Sequence, residues 1–224
     1  MASKAEGPPR NSHDYVLCRF DEDMFAELSG LIDPVALETE LHSGSEIFMT
    51  GTGCTFGWLA SDSWQFSGFD GQLRGDFASV VVPREGSGQY FTTEGNPSFS
   101  RAHAESGPAL CKGDSGGPVY RIAEVNGAVV RNIIGVNSSV GAKERWDEEP
   151  NAGTRSLQFR LISRMSALHY GGFSEYLAEW SSRHPDALIC GVQLQPGEGP
   201  CRQPGSISTI NVDDSLDGIF ADDQ

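Results

Sequence analysis

Asn126-Gly127 stands between two runs rich in β-branched residues, "PVYRIAEV" before it and "AVVRNIIGVNSS" after it. Both residues of the pair tolerate positive φ, which a two-residue hairpin turn requires, and such a turn has a twist that matches its flanking strands. The pair commits the middle of the chain to an antiparallel hairpin. Other stretches have the same character. "DYVLCRF" from Asp14 to Phe20, the run from Ile47 in "ELHSGSEIFMTGTGCTFGWL", "FASVVVP", "QYFTTEG" and "LQFRLIS" each read as a strand. The 27 glycines supply turns between them. Many short strands with turn signals between them imply an all-β sandwich or barrel.

The period changes once. Phe173, Tyr176, Leu177 and Trp180 recur at i, i+3, i+4 and i+7, one face of a short helix. The segment from Gly141 to Thr154 is polar and aperiodic and reads as a loop. Residues 1–13 read as a flexible arm, 14–182 as the folded domain, and 183–224 as an acidic tail with no core of its own, because Pro, Gly, Ser and Asp dominate it. Within that tail, Ile210, Val212, Leu216, Ile219 and Phe220 are the residues a docking segment would use.

With 31 acidic residues against 16 Lys and Arg, the net charge is −15. Such a chain repels phosphate backbones and anionic lipid, which argues against nucleic-acid and membrane partners. No apolar run approaches the roughly 20 residues of a membrane span, and "MASKAEGPPRNSHD" lacks the apolar stretch of a signal peptide. The five cysteines, Cys18, Cys54, Cys111, Cys190 and Cys201, are odd in number and form no C-x-x-C pair. They read as mostly free thiols, with no zinc site and no cofactor implied.

The chemistry is concentrated in "CKGDSGGPVY", Cys111 to Tyr120. A serine hydroxyl becomes a nucleophile only with a base to take its proton and with donors to hold the oxyanion that forms. Gly113 and Gly116 permit the chain to turn sharply around Asp114-Ser115, and Pro118 stiffens the exit. The loop thus presents an exposed serine with backbone N–H groups close by.

The hexapeptide "GDSGGP" resembles the active-site motif of the trypsin/chymotrypsin-like serine proteases. The resemblance implies Ser115 as nucleophile, the N–H groups of Gly113 and Ser115 as oxyanion hole, and Asp114 as the carboxylate that pairs with a freed N-terminal amine. "GSEIFMTGTGCT", "IIGVNSSVG" and "FRLISRMSALHYGGFSEYLAEW" are similar to later stretches of the family in the same order. "SHDYVLCRFDED" resembles the segment that holds the triad aspartate, with Asp14 in that place. Together they imply the second six-stranded Greek-key barrel of a double-barrel fold, its C-terminal helix, and a peptide or protein substrate.

In that family the histidine precedes the aspartate, in an Ala-Ala-His-Cys-like segment of the first barrel. No such segment precedes Asp14. His13, His42, His103, His169 and His184 all occupy positions that suit a solvated or capping role better than a base. The expectation is a serine endopeptidase whose histidine lies outside this chain, as one part of a two-part or truncated protease, and which is nearly inert alone. A protease-like binding module is the alternative. An exposed seam face would make the isolated chain associate with a partner or with itself.

By resemblance, Ala109 lies at the base of the primary substrate pocket and Ser138, Ser139 and Val140 form its opposite wall. Without an acidic residue at Ala109 the pocket should be neutral and shallow, suited to small or medium apolar side chains, while the acidic "ERWDEEP" could attract basic residues elsewhere on a substrate. Ile47 and Arg121 stand where family members carry bridge cysteines, and Cys111 lacks the usual partner after Gly141. These losses favour a reducing, cytoplasmic setting.

Overall fold

The computed structural model describes residues 16–17, 32–52, 56–60, 63–67, 71–81, 90–95, 108–148, 155–169 and 171–205. The described strands are β1 (Glu46–Gly51), β2 (Phe56–Ala60), β3 (Ser63–Ser67), β4 (Arg74–Val81), β5 (Tyr90–Gly95), β6 (Pro118–Val125), β7 (Ala128–Glu148) and β8 (Arg155–Ala167). They are followed by the helix α1 (Gly171–Arg183). Six of the strands close an antiparallel barrel in the order β1-β4-β5-β8-β7-β6, while β2 and β3 form a separate hairpin. β6 returns to lie beside β1, which makes the connection a Greek key. The fold is the all-β, six-stranded barrel expected.

Alternation fills the barrel. Ile47 and Met49 on β1, Ala78 and Val80 on β4, Phe91 on β5, Val119 on β6, Ile134 on β7 and Met165 on β8 are all buried in one core. The turn at Asn126-Gly127 has φ of 54° and 77°, as a type I′ hairpin requires. The apolar stripe of α1 is real as well. Phe173, Tyr176, Leu177 and Trp180 are each 4% exposed.

Two expectations need correction. The aperiodic stretch after Gly141 is not a loop as far as Glu148, because β7 continues to that residue and pairs with β8 from Gly135↔Ala167 out to Glu148↔Arg155. A long two-stranded arm satisfies its backbone along the ladder without needing a period in its side chains.

The second correction concerns the region after Arg183, which is packed as far as Gly205. Cys190 and Cys201 form a disulfide across 11 residues of sequence and are both buried. Ile32 bridges to Cys201, the Val35 N–H donates to the Cys190 carbonyl at 2.8 Å, and the Arg202 N–H donates to the Ile32 carbonyl at 2.8 Å. Ile189 and Val192 pack with Val35 and Leu37 against Leu168, Phe173, Tyr176 and Leu177. A short segment poor in apolar residues holds its shape here through a covalent loop and a strap of main-chain bonds.

Cys111 is disulfide-bonded too, to a partner outside the described residues. The cysteines are therefore not mostly free. Replacing both Cys190 and Cys201 by Ser should cost about 2–3 kcal/mol, from the loop-entropy of a closed loop this short. Urea unfolding of the double variant beside the parent, each with and without reductant, checks it.

An ion pair fixes the same strap. Asp33 accepts from Arg131 Nη2 at 2.7 Å and from Arg202 Nε at 2.7 Å, and its side chain is 9% exposed. The Arg131 guanidinium also lies 4.9 Å from the centre of the Tyr120 ring. Burial, reinforced by the Asp33 carboxylate, pushes the Tyr120 phenol above its usual range.

At the turn after β8, burial pulls His169 below the usual imidazole value, with the Glu40 carboxylate opposing weakly. Its Nδ1 is buried and has no hydrogen-bond partner among the described residues. A histidine held neutral in the fold but free to protonate when unfolded contributes stability that is full above pH ~6.5 and is lost as pH falls below it. His169→Gln should therefore flatten the acid side of a stability–pH curve between about pH 7 and 5, as read from denaturant midpoints at stepped pH.

Candidate active site

The loop carrying Ser115 lies between Leu110 and β6 and closes on itself. The Asp114 N–H donates to the Cys111 carbonyl at 3.1 Å, and the Cys111 N–H donates back to Asp114 Oδ2 at 2.7 Å. Asp114 is buried, and Gly113 and Gly116 have φ of 105° and 87°. Those angles lie where a side chain is strained, which is why glycine flanks the Asp-Ser pair. A Cβ on Gly51 would overlap the Asp114 carboxylate, so the β1 strand needs glycine at the point where this group seats.

From the other side the loop is clamped by β7. The Gly116 N–H donates to the Asn137 carbonyl and the Asn137 N–H donates to the Gly117 carbonyl, each at 2.8 Å. The Asn137 amide donates from Nδ2 to the Thr50 carbonyl at 2.8 Å, and Thr50 Oγ1 donates to the Pro118 carbonyl at 3.0 Å. Asn137 is 1% exposed. Sequence reasoning passed over this residue. The available signal was a polar side chain directly after the apolar run Ile133 to Val136.

The clamp leaves Ser115 presented to solvent. Ser115 and Gly113 are exposed, and their N–H groups make no hydrogen bond to the described residues. They are free to receive an oxyanion. Ser115 Oγ donates to the Ser138 carbonyl at 3.1 Å. Ser115 opens onto a cleft of about 270 Å³ lined by Leu110, Cys111, Lys112, Gly113, Ser138, Ser139 and Val140. Val140 also packs on the barrel core. Ala109 sits one residue outside that lining, against Gly95, where an added Cβ would approach the Ala109 Cβ to 2.8 Å.

Of the other candidate residues, some lie outside the described residues and some stand elsewhere in the fold. Asp14 lies outside the described residues, as do His13 and His103. Of the described histidines, His42 stands 3.8 Å from Glu40 at the surface and His184 packs 4.6 Å from the Trp180 ring. His169 sits at its turn, so none of these three bonds Ser115 Oγ, whose partner is the Ser138 carbonyl.

The comparisons with known proteins agree with this geometry. No curated protein matches the chain. The family model described as Trypsin matches residues 3–161, well over half of the 224. The match spans the described strands up to the first half of β8 and the glycine-flanked serine loop, and the chain belongs to the trypsin family of serine proteases.

Proposed function

We propose that the chain is the nucleophile-bearing part of a serine endopeptidase, with Ser115 attacking the peptide carbonyl and the Gly113 and Ser115 N–H groups holding the oxyanion. Asp14 orients a histidine that lies outside this chain and takes the Ser115 proton. The observation that carries this reading is the loop itself: an exposed hydroxyl, two uncommitted N–H groups and a cleft beside them. With no imidazole on Ser115 among the described residues, its hydroxyl rests on the Ser138 carbonyl, and the isolated chain is nearly inert. In the complete enzyme the hydroxyl turns from that carbonyl to the imidazole. Acylation then forms the Ser115 ester and releases the amine, which leaves with the proton from the histidine.

A fluorophosphonate probe tests the reading. Ser115 should be labelled slowly in the chain alone and rapidly once a histidine-bearing barrel is supplied. No labelling in the reconstituted protein would overturn it. A second reading, a protease-like binding module, is favoured by the commitment of Ser115 Oγ to Ser138, and it expects no labelling under either condition.

A further inference from the structure

We propose that the cleft beside Ser115 selects a peptide with an acidic side chain at the residue seated there, through Lys112 on one lip and Arg164 on the other. The inference rests on the peptide-binding reading above and names the substrate class. Among the described residues of the cleft's lining, Lys112 is the one ionisable side chain, because Cys111 is disulfide-bonded. The expectation of a neutral pocket weighed Ala109 and Leu110 but not this lysine.

Arg164 enters through the β7–β8 register, in which it stands directly opposite Ser139. Residues opposed across an antiparallel pair share one face of the sheet. Arg164 is exposed while Ser163 and Met165 on either side are buried, so Arg164 points out of the barrel on the face where Ser139 lies at the cleft.

Both cations are uncommitted. Neither has an ion pair or hydrogen bond to the described residues, whereas Arg131 and Arg202 are held by Asp33 and Arg183 lies 3.9 Å from Glu179. In a chain of net charge −15, two cations without a partner among the described residues stand against the overall field. They supply a local attraction for a carboxylate that the rest of the surface repels. Ser138 and Ser139 line the same cleft, and Leu110 offers an apolar wall for the methylenes of Asp or Glu.

The test is equilibrium binding, which needs no histidine. Dye-labelled Ala-Ala-Ala-Xaa amides, with Xaa as Glu, Gln, Leu or Lys, are titrated with the full chain at low ionic strength and followed by fluorescence anisotropy. The Glu peptide should bind about tenfold more tightly than the Gln peptide, in line with two exposed charge pairs, and the Lys peptide should bind weakest. Lys112→Gln and Arg164→Gln should each lower the Glu-over-Gln ratio by about threefold, and 0.5 M salt, as a condition of the assay, should lower it further. Equal binding of Glu and Gln, a preference for Leu, or a Glu preference that survives in the double variant would each overturn the proposal. Ser115 labelling on the same preparation separates the two failures. Labelling without a Glu preference removes the specificity alone, while no binding of any peptide together with no labelling removes the protease reading as well.

Discussion

Ser115→Ala should lower peptide hydrolysis by about a million-fold in a preparation that also contains the histidine-bearing half. The magnitude follows from what the substitution removes. Ser115 Oγ is the exposed hydroxyl to which the proposed reading assigns the acyl bond, and the Gly113 and Ser115 N–H groups persist in the alanine variant as main chain. The residue of activity would come from those donors and from binding, roughly a thousandfold to ten-thousandfold over water. Steady-state hydrolysis of a fluorogenic peptide measures it. Hydrolysis at the parent rate would mean that another group does the chemistry, and the loop would then be a binding element.

Asp33→Ala should destabilise the chain by about 3 kcal/mol, at the lower end of the cost of removing one partner of a buried ion pair, because the two arginines keep some contact with water. Arg131 and Arg202 are 20% and 18% exposed at the side chain and would face each other without the carboxylate that both now hold. The loss also frees the strap from the Cys190–Cys201 loop, whose main-chain contacts at Ile32 and Val35 flank Asp33. Chemical denaturation should show the midpoint fall, with Asp33→Asn intermediate because its amide still offers one acceptor oxygen. An unchanged midpoint would show that the strap is held by its backbone bonds alone.

The same contrast runs through the whole chain. The hairpin at Asn126-Gly127, the strands from Ile47, Phe77 and Tyr90, the helix stripe from Phe173 to Trp180 and the turn at Ser115 were all legible in the sequence. Each is decided by neighbours a few residues apart, through which φ values a glycine permits and which side chains fall on one face. The resemblance of "GDSGGP" to the trypsin motif held for the same reason, since the loop's geometry is local.

What the sequence missed was set at long range. Asp33 meets Arg131 across 98 residues and Arg202 across 169, and no periodicity links such partners. The region after Arg183 looked coreless because its apolar residues are few. It is folded as far as Gly205 because a disulfide, an ion pair and a strap of main-chain bonds substitute for burial. Asn137 came to support the Ser115 loop only when barrel closure brought its amide to the Thr50 carbonyl on β1 and its main chain to Gly116 and Gly117. Arg164 stands opposite Ser139, a lining residue of the cleft, only through the strand register. The sequence by itself determined the local conformations and singled out Ser115 as the candidate nucleophile. The tertiary structure decided which distant groups hold that nucleophile in place and which charges surround it, because contacts between residues far apart in the chain form only after the barrel has brought them together.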